Sequence, residues 1–236
     1  LEQRYNKHYN GENIIARFNP DSEFQTIISA HWDTRAWADQ EDLRQDRDKP
    51  VIGANDGASG VAILLELARI MAENPPPIGV NLVFFDGEDQ GVPGVNETYC
   101  QGSRFFAKNL PIPRPDEAIN LDMVGDKQLV LPIERYSLEY HPQLVRHLWD
   151  RAKEMGLDAF IGRVDYAIYD DHIPLNEIAG IPSIDLIDFK YPNSYANFWH
   201  TLNDIPENCS EESLGQVGDL MVDYIYNREE QNRSEN

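Results

Sequence analysis

The stretch that most constrains this chain is Val83-Phe84-Phe85-Asp86-Gly87-Glu88-Asp89. Three apolar residues run into an acid and a turn glycine, and two more acids then stand side by side. The apolar run reads as a buried strand. Carboxylates at the end of such a strand cost on the order of several kcal/mol each to desolvate unless they are paired or bound to a metal. We assign Asp89 to a metal and Glu88 to proton movement, although charge alone leaves the two interchangeable. The rest of the chain is read as what surrounds that pair.

With 236 residues the chain can bury one large core. Residues 1–227 read as a single domain and 228–236 as a polar, frayed tail. Residues 1–12 are polar and read as an edge, or as the stump of something upstream. Strands are expected at Asn13–Phe18 and Thr26–Ala30, around the turn Asn19-Pro20-Asp21-Ser22. Residues 34–50, rich in Asp, Arg and Gln, lack periodicity and form a long loop of the kind that is often functional. Small residues at 53–60 open a helix over Val61–Glu73. It is apolar nearly all round and so expected to be buried on more than one side. Pro75-Pro76-Pro77 stops it.

Further strands are expected at Asn81–Phe85, Ala118–Leu121, Leu129–Glu134 and Ser183–Ile187. Helices are expected at Gly102–Asn109, 141–155 and 211–227, with a short one after Ile173-Pro174. Strands alternating with helices point to an α/β fold, with a central mixed, mostly parallel twisted sheet and helices on both faces.

In such sheets ligands bind beyond the carboxyl ends of the strands. His31, Glu88, Asp89 and Asp122 each follow an apolar strand, Asp56 lies at a strand-to-helix turn, and His200 follows Phe198-Trp199 in a loop. Taken singly, each has a plain reading as a turn or hydrogen-bonded residue. Gathered at one sheet edge, they are the imidazole and carboxylate donors that zinc accepts when thiolate is absent. Three ligands with an open position make a catalytic site. Thr201 and Asp204 are placed to orient the His200 ring, and Trp199 to form an apolar wall.

The formal net charge of −21 argues against a nucleic-acid or anionic-membrane partner. No apolar run approaches the length of a membrane span. No leader is visible, and an opening at Leu1 reads as a processed or trimmed start. Cys100 and Cys209 could form one disulfide but match no zinc-thiolate motif. Nothing in the sequence sets an oligomeric state.

Five motifs carry a resemblance: Ala30-His31-Trp32-Asp33; Gly53-Ala54-Asn55-Asp56-Gly57-Ala58-Ser59-Gly60; Phe84-Phe85-Asp86-Gly87-Glu88-Asp89; Asn120-Leu121-Asp122-Met123-Val124-Gly125; and Trp199-His200-Thr201. In this order they resemble the zinc exopeptidases of family M28. Within that clan the chain is most similar to the glutaminyl-peptide cyclotransferases, and among those to bacterial enzymes of the animal type. Trp199 before the histidine and Asp170-Asp171-His172-Ile173-Pro174 favour that branch.

The resemblance implies zinc held by Asp56, Asp89 and His200, with Glu88 as general acid/base. Asp122 and Asp170 would belong to a hydrogen-bond network around the reacting groups, and Trp199 would line the glutamine pocket. His31 and Asp122 match the positions that hold a second zinc in the aminopeptidases. Many family members carry Glu where this chain has Asp89, and the shorter ligand requires a closer backbone. The implied substrate is the N-terminus of a peptide or protein. The expected reaction is conversion of an N-terminal glutamine to pyroglutamate with loss of ammonia, using one zinc. The alternative is an aminopeptidase with two zincs. A non-catalytic metal- or peptide-binding module is disfavoured by the intact Glu88. The resemblance also suggests an exported protein, periplasmic or secreted.

Overall fold

The computed structural model describes the backbone of residues 10–234 and the side chains of residues 10–228. The strand β1 (Ile14–Phe18) and the strand β2 (Gln25–His31) flank a turn closed by Ser22 N donating to Asn19 O at 3.2 Å. Then follow α1 (Ala58–Glu73), β3 (Gly79–Phe85), α2 (Gln101–Asn109), β4 (Glu117–Asp122), β5 (Leu131–Ile133), α3 (Arg135–Tyr140) and α4 (Pro142–Met155). The chain continues through β6 (Phe160–Val164), α5 (His172–Glu177), β7 (Ser183–Ile187), β8 (Pro192–Asn193), β9 (Ala196–Asn197) and α6 (Glu211–Ser234).

Five strands form the central sheet in the order β1-β3-β2-β4-β7. Only β1 runs antiparallel to its neighbour, so the sheet is mixed and mostly parallel, as the sequence predicts. Every residue of β2, β3, β4 and β7 is buried, which is why these segments read as near-continuous apolar runs. Alternation assigns the two faces. Ile28, Ala30, Leu82, Phe84, Leu121 and Leu186 face a larger core built with α1, α4 and α6. Ile27, Val83, Phe85 and Ala118 face a smaller one that includes Phe106 of α2 and Leu175 of α5. Register places His31 beside Phe85 and Asp122 beside Ile187, so the carboxyl ends of the parallel strands finish level. That edge carries the polar residues.

Several local expectations are corrected. Helix α1 begins at Ala58 rather than residue 61, directly after Gly57 at φ +103°. It buries one face, through Ile63, Leu64, Leu67 and Met71, while Leu65 is 59% exposed. Its apolar outer residues are therefore surface residues, an ordinary occurrence. The sequence gives no warning of α3, a short polar helix capped by Glu134, whose carboxylate accepts from Tyr136 N at 2.9 Å and Ser137 N at 2.6 Å. Strand β6, half exposed and among the described residues paired only with β5, is also unanticipated. Helix α6 continues past residue 227 to Ser234, because that stretch contains no Gly or Pro to stop it. Residues 1–9 and 235–236, expected to be edge or frayed tail, lie outside the described residues. Cys100 and Cys209 are both free thiols. Among the described residues no helix is long and apolar enough to cross a membrane.

Gly60 fixes how closely α1 lies on the sheet. A Cβ there would stand 2.4 Å from Leu121 O and 2.7 Å from the Ala30 side chain. Alanine would favour the helix by about 1 kcal/mol. The clash with a strand carbonyl cannot be relieved by a rotamer change and should outweigh it at about 1–3 kcal/mol. Gly60→Ala is thus expected to lower the urea midpoint; an unchanged or raised midpoint would contradict this packing.

Candidate active site

The carboxyl edge of the sheet is built by turns whose amides are held by acid side chains. Beyond β3, Gly87 turns the chain at φ +66°. Asp33, two residues past β2, then receives the next amides: its Oδ1 accepts from Glu88 N at 3.0 Å and its Oδ2 from Asp89 N at 3.2 Å. From the other side Cys100 N donates to Glu88 O at 3.0 Å, and the Cys100 thiol lies 3.2 Å from Glu88 Oε1. The turn before α1 is held in the same way. Asp204 accepts from Asn55 N at 2.7 Å and Asp56 N at 3.3 Å, while Asn55 Oδ1 accepts from Gly125 N at 2.7 Å. Met123 and His200 sit in the left-handed region at φ +46° and +56°. For residues other than glycine that costs about 1–3 kcal/mol each and marks places where the surroundings over-determine the backbone.

The sequence-predicted residues are brought together. His200 Nε2 lies 2.7 Å from Asp89 Oδ1 and 3.4 Å from Asp56 Oδ2. His31 Nε2 lies 3.2 Å from Asp56 Oδ1 and 3.1 Å from Asp122 Oδ1. Asp56 therefore stands between the two imidazoles, one oxygen toward each. Asp170 lies close to Glu88, with Cys100 completing a third tight group. Trp199 stacks on His200 with ring centroids 3.8 Å apart and tilts against Phe189 at 5.2 Å. Asp56, Glu88, Asp89, Asp122, Asp170 and Trp199 line a cavity of about 310 Å³. Its walls include Tyr99, Ile168, Tyr169, Ile187 and Phe189.

Two readings of individual residues are corrected. Asp204 does not orient His200; it holds the Asn55–Asp56 amides and accepts from Tyr191 Oη at 3.2 Å. Thr201 Oγ1 donates to Phe198 O at 2.8 Å, away from the ring. The carboxylate at the back of His200 is Asp39, with Oδ1 3.4 Å from Nδ1. Asp33, Arg35, Asp39 and Cys100 are thus structural members of the site that the sequence reading assigned no role. Asp33 could have been noticed from its spacing to His31. Arg35 and Asp39 sit in an aperiodic loop that offers no such signal.

The electrostatics follow from crowding buried acids. Burial, with Asp89 and Asp170 nearby, pushes the Glu88 carboxyl well above the usual carboxylate range. Burial and the Asp89 charge push Asp56 up to about 7, and burial with Asp170 pushes Asp122 up to about 6. For Asp89 burial pulls upward, but His200 and His31 outweigh it and hold it below the usual range. His200 rises to about 9: burial opposes this, and Asp89, Asp39 and Asp56 together prevail.

The acids gathered here outnumber the imidazoles, which is a reason to ask whether a cation fits. Asp56, Asp89 and His200 offer donor atoms all within 4.8 Å of one another. The Oδ2 atoms of Asp56 and Asp89 are buried and make no hydrogen bond among the described residues. One imidazole and two carboxylates suit zinc, and a divalent charge would relieve the repulsion. A second group, His31 with Asp56 and Asp122, has the same donor chemistry and shares Asp56. A donor set with an acid beside it, in an apolar-walled cavity, can hold a cation and move a proton near it.

Comparison with known proteins agrees with this geometry. The model of peptidase family M28 matches residues 13–225. A glutaminyl cyclase structure from Bacteroides thetaiotaomicron, bound to N-acetylhistamine, is 35% identical with a TM-score of 0.88, over 92% of this chain and 77% of that one. The glutaminyl-peptide cyclotransferase of Boiga dendrophila is 25% identical over 90% of this chain; the chain spans 64% of that relative's length. Aminopeptidase YwaD of Bacillus subtilis is 29% identical over 74% of this chain and 37% of its own length. By sequence and by fold the chain belongs to peptidase family M28, as a glutaminyl-cyclase-like member.

Proposed function

We propose that this chain is a zinc-dependent glutaminyl-peptide cyclotransferase, converting the N-terminal glutamine of peptides or proteins to pyroglutamate and releasing ammonia. Asp56, Asp89 and His200 hold the zinc. When bound there, zinc supplies Lewis acidity toward the carbonyl of the glutamine side-chain amide. The peptide's α-amine attacks that carbon, a carbon–nitrogen bond closes the five-membered ring, and the bond to the amide nitrogen breaks. Glu88 takes the proton from the α-amine and delivers one to the departing ammonia, so its carboxyl ends each turnover as it began. A carboxyl held high by burial is suited to both halves of that exchange. Asp170 lies within 4.8 Å of Glu88, and Asp122 lines the same cavity. Asp122 is hydrogen-bonded to His31, and Asp170 keeps a buried Oδ2 without a hydrogen bond among the described residues.

The observation that carries the cyclase reading is the Trp199 wall. An intramolecular attack needs a pocket that selects the folded-over conformer and keeps water out. Trp199, stacked on His200 and against Phe189, forms with Phe189 and Ile187 an apolar wall of the cavity that Glu88 also lines. A hydrolase would instead have to admit water to the same place.

The second reading, an aminopeptidase acting on the first peptide bond, is favoured by the group of His31, Asp56 and Asp122, a ready set of donors for a second metal. The two readings part on product and on metal content. With glutamine-initiated peptides and zinc-loaded protein, ammonia is expected without free amino acid, with one tightly held zinc per chain. Free amino acid without ammonia, together with two tightly bound zincs, would overturn the cyclase in favour of the aminopeptidase. Glu88→Gln keeps the side chain's shape and removes its proton transfer. It is expected to lower kcat by about 10²–10⁴-fold while zinc content is unchanged. Near-normal turnover would remove Glu88 from its role, and loss of zinc would show it to be a ligand.

A further inference from the structure

We propose that the loop over residues 34–50 is a brace for the metal-binding residues, in which Asp39 positions His200 and Arg35 ties Asp39 to the turn bearing Asp89. The inference rests on the assignment of Asp56, Asp89 and His200 to zinc, and goes beyond it by naming what holds two of those residues in place.

Arg35 is 1% exposed, although it carries a permanent charge. Its Nη1 donates to Asp89 O at 2.5 Å and to Gly91 O at 2.8 Å, and its Nη2 to Asp39 Oδ2 at 2.6 Å. One guanidinium thus grips the backbone around Asp89 and one oxygen of Asp39. The other oxygen of Asp39 faces His200 Nδ1 at 3.4 Å. With Nδ1–H directed at that carboxylate, Nε2 presents its lone pair to the side where Asp56 and Asp89 lie. The backbone follows the same path: Gln40 N donates to His200 O at 3.2 Å, and Glu41 Oε1 accepts from Leu202 N at 2.8 Å. Ala38 N donates to Lys49 O at 2.8 Å, which closes the loop on itself.

The geometry explains why an arginine occupies this place. The planar fork reaches two carbonyls and a carboxylate in fixed directions, which one ammonium on a flexible stem cannot reproduce. It also sets a permanent positive charge behind a crowded group of acids. A loop held here only to fill space would have no need to bring a carboxylate to the far nitrogen of a ligand histidine.

The test is the zinc dissociation constant of the full chain, measured by competition with a chromogenic chelator, with thermal midpoints recorded on the metal-free proteins. Asp39→Asn and Arg35→Lys are compared with Leu220→Ala, a substitution of α6 within the larger core. Asp39→Asn is expected to weaken zinc binding by about 10–100-fold, and Arg35→Lys to act in the same direction. Leu220→Ala is expected to lower the thermal midpoint without moving the zinc constant. If Asp39→Asn does not fold, Arg35→Lys, which retains the charge, carries the comparison. Wild-type zinc affinity in both variants, or a loss no larger than that of Leu220→Ala, would overturn the brace. A wild-type protein that fails to bind zinc would overturn the metal assignment, and the brace with it.

Discussion

The constraint on which the structure depends is buried negative charge. Asp56, Glu88, Asp89, Asp122 and Asp170 are all buried at one edge of one sheet, with His31 and His200 between them. Each ionised carboxylate in such a place costs on the order of several kcal/mol unless something compensates it. The imidazoles, the Arg35 guanidinium and a bound cation are the means available. This explains why the acids do not behave alike. Burial raises both, but His200 and His31 hold the Asp89 carboxyl below the usual range, whereas burial with Asp89 and Asp170 nearby pushes the Glu88 carboxyl well above it. Adjacent residues on one turn thereby acquire opposite tendencies, as the proposed split between a metal ligand and a proton carrier requires.

The fold serves this arrangement by bringing turns together and then fixing their amides with further acids. Parallel pairing of β2 with β3 and β4 ends three strands at one level. Asp33 then holds the amides of Glu88 and Asp89, and Asp204 holds those of Asn55 and Asp56. Beneath them a polar row crosses the sheet. Ser29 donates to Asn120 at 2.8 Å, Asn120 to Asp185 at 3.2 Å, and the Asp185 amide to Ser137 Oγ at 2.8 Å. The row runs from β2 through β4 and β7 to α3, so a helix that does not line the cavity is hydrogen-bonded to the strands that end at its floor.

The central strands and the gathering of His31, Asp56, Glu88, Asp89, Asp122 and His200 were legible in the sequence. Buried parallel strands leave unbroken apolar runs, and the residues that follow them must lie at the carboxyl edge. The supporting residues were not legible, because a carboxylate that caps an amide looks the same in sequence as one exposed to water. Asp204 was read as a partner of His200 from its nearness in the chain, whereas the fold gives that place to Asp39, more than a hundred residues away. Arg35 reads as a surface charge until β3 and its turn enclose it. Helix α3 was missed because its six residues are too few to show a period and its cap is a glutamate. Helix α1 shows the opposite error: its composition exceeds its burial, since one sheet face can cover only one side of a helix.

The division of labour between Glu88 and Asp89 is tested most directly by a crystal structure of the zinc-loaded protein with anomalous data at the zinc absorption edge. The expected result is a peak bounded by Asp56, Asp89 and His200, with Asp39 against the far nitrogen of His200 and Glu88 facing the cavity outside the coordination sphere. A peak held by Glu88, or one held by His31 and Asp122 with His200 left free, would contradict it.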